Sequence, residues 1–369
     1  MSAPPPWLAA PLHGLRPSPH LSAPACEGQV LLHLNECPWP PSPRAIAAAE
    51  AAMHGANRYP PQGSDQLTQA LARHSGSDAR LIVLAGGSDF ILHQTCLVAL
   101  GPGSECVFPR PGFPRYRLAT AIAGARGVAV DVTADGRNDV AAMLAAISSA
   151  TRLVFACTPN GNTGGMLGES ELAALARGVP GHVLLCIDEA YAEFSRAAGG
   201  PDAVVVLRRH RAGPWLVSRT FSKAYALAGL RVGYAICSDS AVADAFAVSR
   251  PAFVLGGPAI AAAAAALGDG EHLAMVVRRT AEGVAQLDRG LRAMGLSPYT
   301  SFANFVSADL GRPVGPVLAA LAAAGIFVRG LREPGWDTYL RISVGTDQEN
   351  ARALAALAGA LATSKDSSA

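Results

Sequence analysis

The chain has 369 residues, of which 50% are hydrophobic and 16% are charged, and its formal net charge is +2. This balance is typical of a globular protein of one large domain or two linked ones, and it excludes an intrinsically disordered chain. No long basic run or basic helix is present, so nucleic acid is not an expected partner.

The cysteines and the apolar stretches indicate the compartment. The seven cysteines stand singly, without a CxxC pair, which argues against a disulfide framework or a zinc site and favours reduced thiols in the cytoplasm. The N-terminus lacks the basic and apolar regions of a secretory signal. The most apolar later stretch, residues 252–268, is broken by Gly-Gly-Pro and predicts a buried helix, so no membrane partner is expected.

Proline content and periodicity divide the chain. Eleven of the 27 prolines fall in the first 43 residues, which predicts a proline-rich N-terminal arm over residues 1–30. Residues 31–248 form the predicted large domain, beginning with helices over 43–55 and 64–76. Strands and helices then alternate. Strands are predicted over 80–86, 105–109, 127–132, 152–159, 183–190 and 214–220, with helices over 88–100, 139–148 and 169–178.

This alternation predicts an α/β fold with a mainly parallel sheet between helices. In such sheets, ligands gather at the carboxyl ends of the strands. The pattern changes after residue 249, and residues 249–362 predict a smaller α+β C-terminal domain. Residues 31–60 are expected to contact this domain and a dimer partner. The serine-rich residues 363–369 predict a disordered tail.

The segment SRTFSKAYALAGLRVGYA, residues 218–235, carries the strongest functional signal. Only Lys223 and Lys365 are lysines, so 28 of the 30 basic residues are arginine, a ratio that arginine-biased coding explains. Lys223 nevertheless stands out, because lysine forms imines and arginine does not. Ser222 and Arg231 supply a hydroxyl and a guanidinium fork that suit a phosphate. Together they predict a pyridoxal phosphate (PLP) site, in preference to an ordinary exposed lysine.

A second segment, LCIDEAYAEF, places Asp188 at the end of an apolar strand and Tyr191 three residues later. A buried carboxylate there keeps a pyridine nitrogen protonated, which makes the ring an electron sink. The tyrosine hydroxyl suits a hydrogen bond to the ring's phenolic oxygen. A helix N-cap is the alternative role for Asp188, and the presence of Lys223 favours the cofactor role.

Two weaker signals point to the same cofactor. In AGGSDFILHQ, a Gly-Gly turn precedes a helix, so the backbone N–H groups of Ser88 and Asp89 are expected to face a phosphate, although a plain turn and cap has the same pattern. In PRPGFPRYR, Phe113 suits stacking on a flat ring, although loop aromatics more often serve packing.

These segments, in this order, resemble the fold-type I PLP enzymes of the class I/II aminotransferase superfamily, and most closely the histidinol-phosphate aminotransferase family. LNECPWPPSP is similar to that family's LNENPxGPSP opening, and NRYPPQGSDQLTQALA to its RYPD segment and helix. GIFVRG and YLRISVGTDQEN are similar to its C-terminal VR and LRIxxG motifs. The resemblance covers about residues 31–361.

The resemblance implies a role for each matching residue. Lys223 is the Schiff-base lysine; Ser222, Arg231 and the backbone of Ser88 and Asp89 hold the phosphate; Asp188, Tyr191 and Phe113 contact the ring. The substrate-binding residues that it implies are Arg341 for the α-carboxylate, Arg329 for a distal phosphate, and Tyr59, which reaches into the site of a homodimer partner. A solvated surface position is the alternative for Arg329, whereas Arg341 lies in an apolar strand and needs a partner there.

One segment departs from the family pattern. The family has PNNPTG, and its second Asn binds the phenolic oxygen of the cofactor; this chain has TPNGNTGG. Aligned without a gap, Gly161 stands at the Asn position and Asn162 at the Pro position. Either Asn162 takes over by a local shift or the hydrogen bond is lost. Cys37, where Asn is common, is a smaller departure in the opening that lines the substrate pocket.

The function implied is transamination in amino-acid biosynthesis, from histidinol phosphate or an aromatic amino acid, with 2-oxoglutarate as the acceptor. The nearest alternative is a decarboxylase of the same fold, of the threonine-phosphate decarboxylase type. A non-catalytic PLP-binding regulator is disfavoured, because the arm before residue 31 is too short for a DNA-binding domain. A nicotinamide-dependent dehydrogenase is disfavoured because no strand is followed by GxGxxG.

Overall fold

The computed structural model describes residues 7–15, 28–60, 66–331 and 333–366. Most of the predicted proline-rich arm therefore lies outside the described residues. The last helix runs to Asp366, so the first four residues of the predicted disordered tail are helical, and the other three are not described. These residues extend the last helix, which gains one hydrogen bond for each residue added to a nucleated helix.

The strands follow the predicted order. In the described part of the chain they are β1 (Val30–Leu31), β2 (Ile82–Ala85), β3 (Glu105–Arg110), β4 (Arg126–Asp131), β5 (Thr151–Cys157), β6 (Leu184–Asp188), β7 (Trp215–Thr220), β8 (Gly233–Cys237), β9 (Ser297–Pro298), β10 (Phe305–Asp309), β11 (Ile326–Phe327), β12 (Arg329–Gly330) and β13 (Tyr339–Ser343).

Helices cover both faces of the sheet and form much of the C-terminal part. Those in the described residues are α1 (Pro43–Met53), α2 (Gln66–Ser75), α3 (Ser88–Ala99), α4 (Pro114–Ile122), α5 (Val140–Ala145), α6 (Glu169–Gly178), α7 (Ala192–Ala197), α8 (Ala203–His210), α9 (Ser240–Ser249), α10 (Gly257–Leu267), α11 (Gly270–Ala293), α12 (Val314–Ala323) and α13 (Asp347–Asp366).

The larger sheet of the described residues has seven strands in the order β2-β8-β7-β6-β5-β3-β4. Strands β4, β3, β5, β6 and β7 are parallel, and β8 is antiparallel to both of its neighbours. The predicted mainly parallel α/β fold is confirmed. Strand β8 was not among the predicted strands, because its five residues are all buried and show no alternation of apolar and polar positions.

A smaller four-stranded sheet, β12-β13-β10-β9, lies in the C-terminal part and is antiparallel. The N-terminal strand β1 pairs with β11, so the segment after it starts beside the C-terminal part and runs to the larger sheet. The predicted contacts of residues 31–60 with the C-terminal domain and with a dimer partner stay predictions.

Helix α10 packs against α1 and belongs to the core around the larger sheet, where Ala259, Ala262, Ala263 and Ala266 are buried. We therefore propose that the domain boundary lies near Asp269, later than the predicted residue 249. No single helix in the described residues is long and apolar enough to cross a membrane; α10 and α11 meet that test only together, as a pair bent by 79°.

Candidate active site

A cavity of about 280 Å³ opens at the carboxyl ends of β5, β6 and β7. The larger sheet brings these ends to one edge, as parallel strands require. Every predicted site residue except Tyr59 lines this cavity: Ser88, Asp89, Phe113, Asn162, Asp188, Tyr191, Ser222, Lys223, Arg231, Arg329 and Arg341. Residues that are 253 positions apart in sequence, from Ser88 to Arg341, thus face one space.

Lys223 lies in the turn after β7, half-buried, and its Nζ donates a 3.0 Å hydrogen bond to the Leu34 carbonyl oxygen. Burial lowers the pKa of Lys223 from 10.5 to about 7, and the charge of Arg341 contributes to this decrease. Both effects disfavour the ammonium form. A neutral amine that is accessible from a cavity is a nucleophile and a proton acceptor near neutral pH.

Asp188 ends β6 and is buried, and its carboxylate is held at both oxygens. The Tyr116 hydroxyl donates a 2.6 Å hydrogen bond to Oδ2, and the Ala190 N–H donates one of 3.1 Å to Oδ1. Burial raises the pKa of Asp188 to about 6, against the effect of these hydrogen bonds. A carboxylate in such surroundings gains stability from any cation that enters the cavity beside it.

Tyr191 is buried three residues beyond Asp188, and its hydroxyl oxygen accepts a 2.8 Å hydrogen bond from Asn35 Nδ2. Burial raises the pKa of Tyr191 to about 12. The hydroxyl is therefore protonated at neutral pH and is a donor available to a group in the cavity.

An anion cradle lies at the N-terminus of α3. Gly87, the N-cap residue, has φ +90°, and a Cβ atom there would collide with the guanidinium of Arg231. A Cβ on Gly233 would likewise collide with the backbone N of Ser88. Both glycines let β8 and Arg231 approach the helix end closely. Backbone N–H groups, a helix dipole and a guanidinium then converge, which suits a phosphate.

Two hydroxyls complete the cradle. Arg231 NH1 donates a 3.3 Å hydrogen bond to Ser222 Oγ, and Thr220 Oγ1 lies 3.0 Å from the same oxygen. Arg231 itself has left-handed backbone geometry, φ +53°, which turns its side chain back over the turn. The cradle therefore combines one fixed charge with hydroxyl and backbone donors, the set that a phosphate dianion needs.

Asp89 and Phe113 lie at the mouth of the cavity. The Asp89 carboxylate forms a two-point ion pair with Arg115, at 2.7 and 2.8 Å, which leaves the Asp89 backbone as the part predicted to hold a phosphate. Phe113 is 37% exposed and meets the ring of Tyr116 edge-on, with centroids 6.1 Å apart. A flat ligand entering the cavity would pass beside the Phe113 ring.

Arg341 is buried on β13, and no acidic side chain of the described residues forms an ion pair with it. Its guanidinium donates to the carbonyl oxygens of Gly161 and His33, at 2.8 and 3.1 Å, and to Asn162 Oδ1, at 3.1 Å. Its Nε finds no partner, and burial lowers its pKa to about 10. A buried cation with neutral partners favours the binding of an anion.

In the loop that departs from the family pattern, Asn162 lies beside Arg341. The Asn162 side chain donates a 2.7 Å hydrogen bond to the Gly112 carbonyl and accepts one from Arg341. Its amide therefore links Arg341 to the backbone of Gly112, and its predicted contact with the cofactor stays a prediction. Among the described residues, Tyr191 alone lies within 4 Å of a Cβ built on Gly161, at 3.9 Å.

Tyr59 does not reach the cavity of its own chain. Its side chain is 78% exposed and stacks on Phe253, with ring centroids 4.3 Å apart. Its expected role in substrate binding therefore concerns the cavity of a second chain.

Sequence reasoning missed several residues of the site. Tyr116 bonds Asp188, Asn35 bonds Tyr191, and Leu34 accepts from Lys223. Asn35 lies in the LNECP segment, and the similarity of that segment to the family's opening motif was the one signal in the sequence that pointed to it. Tyr116 lies within a helix whose apolar pattern predicts plain packing.

The family "Aminotransferase class I and II" matches residues 27–357. Histidinol-phosphate aminotransferase 2 of Pseudomonas aeruginosa is 43% identical over 333 residues, covering 90% of this chain and 89% of the relative. Histidinol-phosphate aminotransferase of Symbiobacterium thermophilum is 37% identical over 332 residues, covering 90% of both.

Among solved structures, histidinol-phosphate aminotransferase from Sinorhizobium meliloti in complex with pyridoxal-5'-phosphate superposes with a TM-score of 0.85. It is 30% identical, and the match covers 91% of each chain. These similarities confirm the resemblance inferred from the motifs and the fold type.

Proposed function

The chain belongs to the aminotransferase class I and II family, and on this premise we propose that its amino donor is histidinol phosphate and its acceptor 2-oxoglutarate. The chain is a PLP-dependent aminotransferase. The two substrates, the amino donor and the keto-acid acceptor, are inferred from the residues of the site.

The cavity fits the cofactor in charge and shape. We assign its phosphate to the cradle of Arg231, Ser222 and the α3 N-terminus, where the two glycines leave room for it. Asp188 is assigned to the pyridine nitrogen and Tyr191 to the phenolic oxygen, because a buried carboxylate favours a cationic ring nitrogen. When bound, PLP supplies an electron-accepting ring that stabilises negative charge at the substrate's Cα.

Lys223 then has two roles. Its neutral amine would hold the cofactor, and the same Nζ, once free, is placed to take the proton from the substrate's Cα and to deliver it to the cofactor carbon that the lysine had held. The lowered pKa of Lys223 suits a proton carrier at neutral pH. The Leu34 carbonyl oxygen, 3.0 Å away, gives the released amine a resting place.

The observation that carries the donor assignment is the pairing of Arg329 with Arg341. They are directly opposite each other on the antiparallel strands β12 and β13. Like charges in that relation repel, and an anion between them removes the repulsion. Both line the cavity. A phosphate monoester carries up to two negative charges and can offset both guanidiniums, whereas the carboxylate of an aromatic amino acid carries one; this supports histidinol phosphate over an aromatic amino acid.

The test compares histidinol phosphate with histidinol, which lacks the phosphate, in the parent enzyme and in Arg329→Gln. For histidinol phosphate we expect a loss in kcat/KM of about 10- to 100-fold, since a hydrogen bond to a charged group contributes about 1.5–3 kcal/mol. For histidinol we expect little change. Arg329→Lys is the matched control that keeps the charge but not the fork.

Equal losses with both donors would contradict the phosphate assignment. Faster turnover of an aromatic amino acid than of histidinol phosphate would name that class as the donor instead. Release of carbon dioxide without a keto product would identify the decarboxylase alternative. Omitting 2-oxoglutarate and supplying other keto acids tests the acceptor in the same assay.

We also propose that the enzyme is a homodimer in which Tyr59 reaches the partner's cavity. The exposed Tyr59–Phe253 stack supports this, because two large rings on a surface usually mark an interface. Sedimentation of the purified protein tests the dimer. Activity recovered on mixing Tyr59→Ala with Lys223→Ala chains tests the shared site, since one hybrid cavity then has both residues.

A cytoplasmic location stays a proposal. The six cysteines that the structure describes are all free, which suits a reducing compartment. Fractionation of the native cell would decide it.

A further inference from the structure

We infer that Asn35 is a positioning residue, which turns the hydroxyl proton of Tyr191 toward the cofactor and is itself oriented by Ser343. All three side chains are buried. Asn35 Nδ2 donates to the Tyr191 oxygen at 2.8 Å, and Asn35 Oδ1 accepts from Ser343 Oγ at 2.9 Å. The inference rests on the proposed placement of the cofactor ring beside Tyr191.

The orientation of the Asn35 amide follows from the hydrogen-bond network. The backbone N–H of Asn35 already donates to Ser343 Oγ at 2.9 Å, so the hydroxyl hydrogen of Ser343 is available for Asn35 Oδ1. The flipped amide would give Ser343 Oγ a second donor and leave its own hydrogen without an acceptor. The orientation in the structure gives the Ser343 hydroxyl hydrogen an acceptor and the Asn35 amide both a donor and an acceptor role.

The backbone holds this arrangement in place. Asn35 has φ +53°, a left-handed conformation that asparagine tolerates, and its carbonyl accepts a 3.0 Å hydrogen bond from Asn304. Asn35 is thus fixed from the β10–β13 side while its amide reaches Tyr191 on the side of the larger sheet.

The hydrogen bond from Asn35 determines the direction in which the Tyr191 hydroxyl hydrogen points. Because the Tyr191 oxygen accepts from Asn35, its own hydrogen must point elsewhere, and the open direction is the cavity. Two neighbouring positions supply no second side-chain donor here, because the Asn162 amide donates to Gly112 and Gly161 has no side chain. A hydrogen bond donated to a phenolic oxygen favours its anionic form and lowers the pH at which the lysine-bound cofactor loses its proton.

The experiment is a pH titration of the visible absorbance of the holoenzyme, without any amino donor. Asn35→Gly removes the amide and suits the left-handed backbone. Asn35→Asp keeps the acceptor for Ser343 but replaces the donor with a second acceptor, which draws the Tyr191 proton away from the cavity. Each substitution is also made in a Tyr191→Phe background.

We expect the midpoint to rise by about one pH unit in Asn35→Asp and in Tyr191→Phe, and by less in Asn35→Gly. In the Tyr191→Phe background, Asn35→Gly should cause no further shift, and Asn35→Asp only the smaller shift that its charge causes directly. Ser343→Ala should also raise the midpoint, because it releases the amide.

Unchanged midpoints in both Asn35 variants, or equal shifts with and without the Tyr191 hydroxyl, would overturn the inference. Thermal unfolding of each variant identifies one that has failed to fold, and Tyr191→Phe then still measures the tyrosine's own effect. Since no amino donor is present, failure here and failure of the histidinol phosphate proposal are separate results.

Discussion

The hydroxyl of Tyr116 lies 2.6 Å from Asp188 Oδ2, and both residues are buried beneath the cavity. The ring of Tyr116 stacks on Phe155, with centroids 4.7 Å apart, so the hydroxyl is held in place. The hydrogen bond from Tyr116 favours the charged carboxylate, whereas burial disfavours it. The effect of burial is the larger of the two, so the pKa of Asp188 is raised to about 6. This balance has a measurable effect on stability.

The apoprotein should lose stability as pH rises from about 4 to 6. Asp188 has a pKa of about 6 when folded and 3.8 ordinarily, so in this window the folded state binds the extra proton. Stability falls with pH wherever the folded state binds more protons, here by up to about 3 kcal/mol. The measurement is chemical unfolding of the apoprotein against pH, compared with Asp188→Asn, which should lack this component.

The holoenzyme supplies the control, because a cationic ring nitrogen beside Asp188 lowers the carboxyl pKa and should remove the difference between pH 4 and 6. Identical pH profiles for the apoprotein and for Asp188→Asn would contradict the raised pKa. Tyr116→Phe removes a donor to the carboxylate, and we expect it to move the apoprotein's profile to higher pH.

The rate at which the apoprotein captures the cofactor should rise with pH and level off above about 7. Capture needs the neutral amine of Lys223, whose pKa burial lowers to about 7. Stopped-flow absorbance at a series of pH values measures this rate. Arg341→Gln should move the profile to higher pH, because the charge of Arg341 helps to lower that pKa. A profile centred near 10 would show an unperturbed lysine, and Lys223→Ala should show no covalent capture.

Gly87→Ala should weaken cofactor binding by tenfold or more, on the order of 1.4 kcal/mol. The added methyl group would collide with the Arg231 guanidinium, and the φ of +90° is unfavourable for alanine. Gly86→Ala is the matched control, because no atom lies within 4 Å of a Cβ there. Equilibrium titration with PLP, followed by absorbance, measures both variants. Equal affinities in the two would remove Gly87 from the cradle.

Gly161→Asn should leave folding intact and lower the pH midpoint of the cofactor's visible absorbance. A Cβ at this position would meet only Tyr191 Cε2, at 3.9 Å, an ordinary contact. The new amide adds a donor beside Tyr191, where the family has its second Asn. Gly161→Ala is the control for the added volume. A midpoint that is unchanged or higher in the asparagine variant would show that the amide does not reach the cofactor.

The sequence was informative where one residue type carries the chemistry. Asp188 ends β6 and Lys223 follows β7, and the parallel pairing of these strands brings their carboxyl ends to one edge, so the alternation of elements was enough to gather the two. Arg231 lies just before β8, which was not predicted and which begins at the same edge because it is antiparallel to β7. Their roles stay predictions until the variants are measured. The fold class followed from the same alternation, because strands separated by helices leave few parallel arrangements.

The rest of the site depends on contacts between residues that are far apart in sequence. Asn35 and Ser343 are 308 positions apart, and the pattern around either says nothing of the other. Tyr116 is buried in a helix, where its hydroxyl is invisible to periodicity. For Tyr59 the limit lies in the structure, because its predicted role involves the cavity of a second chain and one chain cannot test it.

We expect the short segment from His33 to Asn35 to determine when the cavity forms relative to the folding of the larger sheet and to cofactor binding. It gives carbonyl oxygens to Arg341, Lys223 and Asn304, and its contact with Arg341 closes a separation of 308 residues. Closing so long a loop requires β13, which the ribosome makes near the end of synthesis. The larger sheet has all its strands long before then. Nascent chains that end before β13 should therefore have a folded sheet but an unfinished cavity, and cofactor loading should follow release of the whole chain.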